Sequence, residues 1–179
     1  MSSSDHLKSL IRTVPDFPKS GIRFRDITTL LADPDGLARA IDELAALVGD
    51  RQVDAVAGIE ARGFIFGTAL ALKLGTGFVP LRKAGKLPVE TIGEDYALEY
   101  GRARLELDPT LIAEGAHVLL IDDLLATGGT AIAGARLLRR AGAVVERALF
   151  VVDLPELGGA KALQAEDVVP ASLVAFEGH

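Results

Sequence analysis

The stretch of residues 118–130 constrains the fold of this chain more than any other part of its sequence. It contains an apolar run typical of a buried strand, two adjacent acids, a loop of small residues and the start of a helix: VLLIDDLLATGGT. A strand that leads directly into a helix is typical of α/β proteins, in which ligands bind at the carboxyl ends of the strands. The stretch therefore predicts a ligand site at one edge of a mainly parallel sheet.

The loop in this stretch has the features of a phosphate site. Gly128 and Gly129 carry no Cβ, so the backbone there can approach a ligand closely. Thr127 and Thr130 place hydroxyl groups at the start of a helix that is predicted to run to about Arg140. The N-terminus of a helix carries unsatisfied N–H groups and a partial positive charge, and both favour phosphate.

Asp122 and Asp123 come just before the loop, where their carboxylates can accept hydrogen bonds from the hydroxyl groups of a sugar. Acids next to a phosphate loop therefore point to a phosphorylated sugar as the ligand. Taken in isolation, an Asp-Asp or Gly-Gly pair is more often part of an ordinary turn, which is the alternative. The stretch lacks the glycine patterns of dinucleotide-binding folds and of phosphate-binding NTPase loops.

Length, charge and composition limit the remaining possibilities. A chain of 179 residues is long enough for one domain with a sizeable core and too short for two ordinary domains. The net charge of −6 argues against general binding to nucleic acid or to a membrane surface. The absence of cysteine excludes disulfides, thiolate metal sites and cysteine nucleophiles, and the three histidines show no metal-ligand spacing. Because the N-terminus lacks the features of a signal peptide and no apolar run could span a bilayer, we expect a cytoplasmic protein.

The apolar pattern along the chain predicts alternating helices and strands. It predicts helices near Ser4, after 33–34 and over 63–74, a turn over 14–20, strands over 55–59, 77–81 and 118–121, and a further apolar run over 144–152. Such alternation is typical of an α/β fold with a mostly parallel central sheet flanked by helices. We expect a single domain that spans residues 1–179.

The interval over residues 83–95 differs from this compact pattern. It has few apolar residues, and long loops in compact domains are often lids or binding loops. A solvated surface loop is an equally good interpretation of its composition. Residues 96–100 and 103–107 then alternate in polarity, which predicts a hairpin that returns to the sheet.

Residues 60–64, with the sequence EARGF, lie between a predicted strand and a predicted helix, in the same context as residues 118–130. The guanidinium group of Arg62 has a fork of donors suited to phosphate or carboxylate. Gly63 permits an unusual backbone conformation beside it. The alternative is a surface arginine that pairs with Glu60.

Residues 118–130 resemble, nearly residue for residue, the phosphoribosyl-pyrophosphate (PRPP) signature of the type I phosphoribosyltransferases. Four further segments resemble the adenine branch of that family: FPKSGIRFRDI at 17–27, EARGF at 60–64, RKAGKLP at 82–88 and LEYG at 98–101. The FRDI and LEYG pieces are more diagnostic than the PRPP signature, which many sister enzymes share. The resemblance implies the type I phosphoribosyltransferase fold, with a small N-terminal hood over about residues 1–35 and a flexible catalytic loop over about 83–95. It also implies a homodimer.

The resemblance further implies which residues bind PRPP. In the family, the two acids hold the ribose hydroxyls, which gives that role to Asp122 and Asp123. The 5′-phosphate would lie in the loop formed by Ala126, Thr127, Gly128, Gly129 and Thr130. The pyrophosphate would contact positive charge as the mobile loop closes, supplied by Arg62, Arg82, Lys83 and Lys86.

The base and the reacting centre have their own implied residues. Glu99 and Tyr100 would come down over the reacting centre, with Tyr100 against PRPP and Glu99 directed at a protonated ring nitrogen of the base. Phe24 would stack on the purine ring, and the backbone at Arg23 and Arg25 would bind its amino edge. Without the resemblance, Phe24 is more simply a core aromatic and Glu99 a solvent-facing acid.

Two positions depart from the family pattern. The position of Arg23 is often non-basic, and the change has no effect if only the backbone binds the base. Residues 89–95 carry acids close to where an anionic substrate is expected, and their sequence does not explain why.

The implied reaction transfers the 5-phosphoribosyl group from PRPP to N9 of adenine and yields AMP and pyrophosphate. Mg²⁺ would be the cofactor, held mainly by substrate oxygens and water rather than by protein ligands. Glu99 and Arg62 would be the catalytic residues. One alternative is a phosphoribosyltransferase for another base, such as xanthine or guanine. Another is a PRPP-sensing regulator without catalysis, which the presence of Arg62, Glu99 and a cationic loop disfavours.

Overall fold

The computed structural model describes residues 3–98 and 101–178 of the chain. Within these residues the helices are α1 (Ser3–Ser9), α2 (Thr28–Ala32), α3 (Pro34–Val48), α4 (Gly63–Leu74), α5 (Gly129–Arg140) and α6 (Gly159–Gln164). The strands are β1 (Arg12–Pro15), β2 (Arg23–Asp26), β3 (Ala55–Ile59), β4 (Gly77–Lys83), β5 (Ile92–Leu98), β6 (Gly101–Leu107), β7 (Val118–Leu125), β8 (Arg147–Asp153) and β9 (Val169–Ala175). None of the described helices is long and apolar enough to cross a membrane.

The central sheet of the described residues has seven strands in the order β5-β6-β4-β3-β7-β8-β9. From β4 to β9 all neighbours pair in parallel, whereas β6 pairs antiparallel with both β4 and β5. One core cluster lies between the sheet and α5, and the other lies between the sheet and α3 and α4. Because both faces are covered, β3 and β8 are nearly continuous apolar runs. The predicted α/β class, with a mostly parallel sheet flanked by helices, is confirmed.

The ends and the buried face of α3 follow from its sequence. The Asp33 carboxylate caps the helix by accepting a hydrogen bond from the Gly36 N–H at 2.7 Å, and Pro34 occupies the first turn. The helix stops before Gly49, which has a φ of 62°. Between these ends the buried side chains recur every three to four residues, at Ile41, Leu44 and Val48. The helix predicted after residues 33–34 is confirmed.

Strand ends were harder to predict than strand centres. The bounds of β3 and α4 match the prediction, but β7 continues past Ile121 to Leu125 and so contains the two acids. The extension follows from pairing with β8, which continues through Leu124 opposite Val152. The apolar run predicted from residue 144 becomes a strand only at Arg147.

The predicted mobile loop over residues 83–95 needs a correction at its C-terminal end. β5 begins at Ile92, and Gly93 to Asp95 pair with Glu106 to Arg104 of β6. The segment outside strands is therefore residues 84–91. The predicted hairpin is confirmed, but its first strand starts four residues earlier than expected because it pairs along the whole of β6.

The N-terminal region that was predicted to form a hood contains α1, α2 and a separate two-stranded antiparallel sheet. β1 and β2 pair from Arg12 opposite Asp26 to Pro15 opposite Arg23. The predicted turn over residues 14–20 lies between these strands, although β1 extends into its first two residues. Nothing in the short, half-exposed β2 marked it as a strand.

Candidate active site at the carboxyl edge of the sheet

A cavity of about 390 Å³ opens at the carboxyl ends of β3 and β7. Its walls come from residues 59–62, from Lys83 and from residues 122–131. β3 and β7 are parallel neighbours, so the loops that follow them reach the same edge of the sheet. The two loops that the sequence singled out therefore meet at one site.

Close contact between these loops depends on Gly63, the first residue of α4. A Cβ at this position would lie 2.9 Å from the carbonyl oxygen of Ile121 and 3.1 Å from Asp122 Oδ1. Only glycine leaves room for the start of α4 to lie against the end of β7. The requirement is for space rather than for an unusual φ, because Gly63 is helical.

Arg62 and Asp123, both predicted to bind PRPP, contact each other. Arg62 Nε donates a hydrogen bond to Asp123 Oδ2 at 2.5 Å. The Asp123 side chain is 6% exposed, whereas the Arg62 side chain is 51% exposed and reaches the acid from the open side of the cavity. The alternative in which Arg62 pairs with Glu60 is wrong, because Glu60 binds other partners.

Glu60 connects the 60–64 segment to the end of β4. Its Oε2 accepts hydrogen bonds from Arg82 Nε at 3.0 Å and from the Lys83 N–H at 2.8 Å. The bond from Arg82 is the main reason why the pKa of Glu60 is lowered, and the charge of Lys86 adds to the effect. Lys83 also lines the cavity, and its Nζ donates to the Tyr96 hydroxyl at 3.1 Å. Two of the predicted cations, Arg82 and Lys86, thus act on Glu60 through their charges, and the ammonium group of Lys83 lies against Tyr96.

Asp122 and Asp123 have different surroundings although they are adjacent. Burial raises the pKa of Asp122 well above its ordinary value, and the negative charge of Asp123 raises it further. The Asp123 N–H donates to Asp122 Oδ1 at 2.9 Å, which opposes but does not cancel the rise. Burial therefore favours the neutral form of Asp122 more than water does, and the neighbouring Asp123 side chain is paired with Arg62.

The predicted phosphate loop lies at the N-terminus of α5, which opens on the cavity. Ala126, Thr127, Gly128, Gly129 and Thr130 all line the cavity wall. Gly128 has a φ of +87°, a conformation that other residues rarely adopt. The helix starts at the next residue, so the N–H groups of its first turn are directed toward the loop.

Gly159 supports this loop from behind, and the sequence analysis did not identify it. Its N–H donates to the Ala126 carbonyl oxygen at 3.0 Å. A Cβ on Gly159 would lie only 2.3 Å from that oxygen and 3.0 Å from the Gly128 nitrogen. The Gly-Gly pair at 158–159 was a visible signal, but its partner loop lies about thirty residues away in the sequence.

The residues predicted to bind adenine lie in β2, outside the lining of the 390 Å³ cavity. Phe24 is half-buried, and its ring meets that of Phe17 edge to face, with centroids 5.2 Å apart. Phe17 is 52% exposed. Phe24 is therefore not a fully buried core aromatic, and one neighbour holds its ring in place.

The side chain of Arg25 attaches β2 to the C-terminal segment. Its Nη1 donates to Thr13 Oγ1 at 2.7 Å, and its Nη2 donates to the carbonyl oxygens of Glu177 and Gly178, both at 2.9 Å. Burial lowers the pKa of Arg25, and the charge of Arg23 lowers it further. The Arg23 guanidinium also lies toward Gly178, where an added Cβ would be 3.1 Å from its Nη1. Both side chains are thus directed at the C-terminal segment, which leaves their backbone groups as the possible contacts to a base.

Two of the acids in residues 89–95 have basic partners. Glu94 accepts a hydrogen bond from Arg140 Nη1 at 2.9 Å, and Asp95 pairs with Arg104 at 3.1 Å. Arg140, near the end of α5, also donates to the Gly93 carbonyl oxygen, which fixes β5 against the helix. These acids are neutralised by arginines and hold the hairpin, which explains their presence near an anion site.

Glu99 and Tyr100 lie outside the described residues, so their roles stay predictions. Within residues 3–98 and 101–178, no group of three His, Cys, Asp or Glu side chains is arranged to hold a metal ion. The carboxylates that line the cavity and could offer oxygen ligands belong to Glu60, Asp122 and Asp123.

The phosphoribosyl transferase domain matches residues 26–167, which include both loops of the site. The chain therefore belongs to the phosphoribosyltransferase family. Two similar proteins, from Novosphingobium aromaticivorans and Erythrobacter litoralis, are each 60% identical to it, over 177 and 178 residues. The matches cover 99% and 98% of both chains, respectively, and both relatives are named adenine phosphoribosyltransferase. Within the family, the chain falls in the adenine phosphoribosyltransferase branch.

Solved structures agree with this placement. The adenine phosphoribosyltransferase of Thermoanaerobacter pseudethanolicus is 44% identical and has a TM-score of 0.92, covering 97% of this chain and 99% of that one. The enzyme from Saccharomyces cerevisiae, complexed with an imino-altritol bisphosphate and adenine, is 36% identical with a TM-score of 0.89. That match covers 96% of this chain and 98% of the yeast chain.

Proposed function

We propose that this chain transfers the 5-phosphoribosyl group from PRPP to N9 of adenine in a Mg²⁺-dependent reaction that forms AMP and pyrophosphate. The observation that carries the proposal is the meeting of the loops at 60–63 and 122–130 around one cavity, in a chain of the adenine branch. Breaking the bond between C1′ and pyrophosphate develops positive charge on the sugar and negative charge on the leaving group. The site therefore has to hold the sugar in place and stabilise negative charge on one side of it.

The sugar phosphate would be held by the phosphate loop and by the two acids. The 5′-phosphate would accept hydrogen bonds from N–H and hydroxyl groups of residues 126–130 at the start of α5. Asp122 and Asp123 would hold the two ribose hydroxyls, whose O–H groups can donate hydrogen bonds to carboxylate oxygens.

The leaving pyrophosphate would be stabilised by Arg62 and by the cations of residues 82–86. The Arg62 side chain is half-exposed beside the cavity. When the ribose hydroxyls bind the Asp123 carboxylate, Arg62 can therefore leave that carboxylate and bind pyrophosphate. Lys83 already lines the cavity, and Arg82 lies next to it, paired with Glu60. Lys86 would arrive from the segment at 84–91 as that segment closes over the site and excludes water.

Mg²⁺ fits this site because the Asp123 carboxylate, which lines the cavity, offers the oxygen ligands that it prefers. We expect most of its ligands to be substrate oxygens and water, as is common for this ion. When bound, the ion would neutralise negative charge on the pyrophosphate.

The base would lie against Phe24, whose ring is held edge-on by Phe17. The backbone N–H and C=O groups at Arg23 and Arg25 would bind its amino edge. The yeast relative crystallised with adenine supports a purine pocket in this branch. Glu99 would address a protonated ring nitrogen and Tyr100 would cover PRPP; these two assignments rest on the family resemblance.

We also propose a homodimer that uses α4. This helix is apolar on nearly all sides, yet Ile65 is 42% and Leu72 78% exposed on the same face. A helix that is apolar all round is normally buried, so a second copy is the expected cover. Leu72→Glu should shift the mass in solution from two chains toward one, whereas Leu111→Glu, at another exposed leucine, should not. A wild-type protein with the mass of one chain would contradict the proposal.

The test of the activity is AMP formation from PRPP, Mg²⁺ and adenine, run beside guanine, hypoxanthine, xanthine and orotate. Turnover confined to adenine supports the proposed function. Turnover with another base alone would keep the PRPP site but refute the purine pocket around Phe24. PRPP binding without turnover on any base would favour the regulator. A cytoplasmic location stays a prediction that this assay does not test.

A further inference from the structure

A second cavity, of about 190 Å³, lies at the opposite edge of the sheet, where β7 and β8 begin. Its apolar wall includes Val48, Val53 and Val144. Val118 at this cavity lies four positions before Asp122 at the first one, which corresponds to about 13 Å along β7. The cavity has about half the volume of the first, so a second PRPP molecule is not its expected ligand.

Two arginines share this small cavity. Arg51 is exposed and donates from Nη1 to the Val48 carbonyl oxygen at 2.8 Å. Arg147 is half-buried at the start of β8. Burial lowers the pKa of Arg147, and the positive charge of Arg51 lowers it further, which means that the two guanidinium groups are close enough to repel each other.

No acid among the described residues neutralises this pair. The ion pairs within residues 3–98 and 101–178 include neither Arg51 nor Arg147. Among the same residues, the Arg147 Nε is buried without a hydrogen-bond partner. Glu146 also lines the cavity, but its side chain is 74% exposed and its carboxylate lies 3.8 Å from His117 Nδ1. Leaving partly buried charges uncompensated costs free energy, which an anion in the cavity would recover.

Guanidinium groups bind carboxylate and phosphate through pairs of hydrogen bonds. The valine wall adds a preference for a ligand with a short apolar body. We propose that the cavity between Arg51 and Arg147 binds a small organic anion, with its carboxylate or phosphate group on the two arginines and its apolar part against Val48, Val53 and Val144. This inference concerns binding alone and does not depend on the proposed catalytic function.

The experiment is an NMR titration of the full chain that follows the amide signals of Val118, Val144 and Arg147. The probes are isobutyrate, its neutral analogue isobutyramide, and inorganic phosphate. We expect saturable shifts with isobutyrate and none with isobutyramide. A response to phosphate as well would assign both head groups to the site. AMP is added before inorganic phosphate so that it occupies the active site and keeps the phosphate out of it. The amide signals of Val118, Val144 and Arg147 should still respond to phosphate under this condition.

Matched substitutions identify the groups responsible. Arg51→Met and Arg147→Met should each weaken isobutyrate binding at least tenfold, because each removes one charged hydrogen-bond donor. Arg39→Met, at an exposed arginine on α3, should leave it unchanged. If Arg147→Met fails to fold, Arg51→Met alone decides the question, because Arg51 is exposed and outside the helices and strands.

Three results would overturn the proposal. Equal shifts with isobutyramide would mean that the cavity accepts apolar groups regardless of charge. Shifts that rise linearly, without saturation, would mean that no site exists. Binding that survives both arginine substitutions would place the anion elsewhere.

Discussion

The two halves of the proposed active site are built in different ways. The ribose-phosphate half (residues 60–63 and 122–130) consists of two short loops that follow neighbouring parallel strands. The base half (β1, β2 and residues 176–178) joins segments about 150 residues apart through the side chain of Arg25. The first half follows from local sequence and sheet topology, whereas the second forms only when the two ends of the chain come together. Substitutions should therefore separate the two halves in their kinetic and stability effects.

The largest effect is expected from Asp123→Asn. The variant loses the carboxylate that pairs with Arg62 and that we propose to hold a ribose hydroxyl, and a charged hydrogen bond is worth about 1.5–3 kcal/mol. We expect kcat/KM for PRPP to fall about 100-fold in steady-state assays, near the upper end of that range. Asp95→Asn, at an acid paired on the surface of β5, should leave it nearly unchanged. Near-normal turnover of the Asp123→Asn variant would refute the role in ribose binding.

Gly159→Ala should act on the ribose-phosphate half alone. The added Cβ would lie 2.3 Å from the Ala126 carbonyl oxygen, and overpacking of this kind costs about 1–3 kcal/mol. We expect KM for PRPP to rise about tenfold while KM for adenine changes much less. Gly77→Ala, where an added Cβ meets nothing within 4 Å, is the control. Equal changes in both KM values would mean that Gly159 supports the whole fold rather than the phosphate loop.

Arg25→Met should act on the base half. It removes three hydrogen bonds that join β2 to Thr13 and to the C-terminal segment, with an expected loss of about 2 kcal/mol in the free energy of unfolding. Urea denaturation measures that loss, and kinetics should show a several-fold higher KM for adenine with an unchanged KM for PRPP. Arg23→Met removes a neighbouring charge without these bonds and should destabilise much less. A raised KM for PRPP in the Arg25→Met variant would mean that the two halves are not independent.

The smallest effect concerns stability and pH. The folded pKa of Asp122 is raised above its unfolded value of about 3.9, so between those two values the unfolded state binds fewer protons and stability falls as pH rises. Asp122→Asn keeps the acceptor oxygen for the Asp123 N–H but cannot ionise. The Tm advantage of this variant over wild type should therefore grow as the pH is raised from about 4. Asp50→Asn, at an exposed acid, should show no such trend.

Much of the fold and of the ribose-phosphate half could be predicted, because both depend on local patterns. β3 and α4 have the predicted bounds, and the glycine and threonine loop lies where the apolar strand and the helix required it. The end of β7 could not be predicted, because pairing with β8 carries two acids into the strand. The start of β5 at Ile92 likewise depends on its pairing with β6.

The base half shows the limit of such prediction more clearly. The sequence near Phe24 indicated a purine site only through a family resemblance, since no local pattern connects it to the cavity. The partners of Arg25 at the C-terminal end are the backbone carbonyl oxygens of residues 177 and 178, which carry no signal in side-chain identity. Gly159 was overlooked for the same reason, because its contact is to the backbone of Ala126.

The pair formed by Arg62 and Asp123 bears on how the site distinguishes a whole substrate from its fragments. Because Arg62 and Asp123 are already partners, a ligand that binds only one of them leaves the other without a partner. The hydroxyl groups of ribose 5-phosphate can replace Arg62 as the partner of Asp123, but nothing in that molecule replaces Asp123 as the partner of Arg62. Free pyrophosphate can replace Asp123 as the partner of Arg62, but it offers nothing to Asp123. PRPP carries both substitutes in one molecule. If Arg62 and Asp123 bind PRPP as we propose, the contact between the two side chains discriminates against the products of PRPP hydrolysis before any chemistry begins.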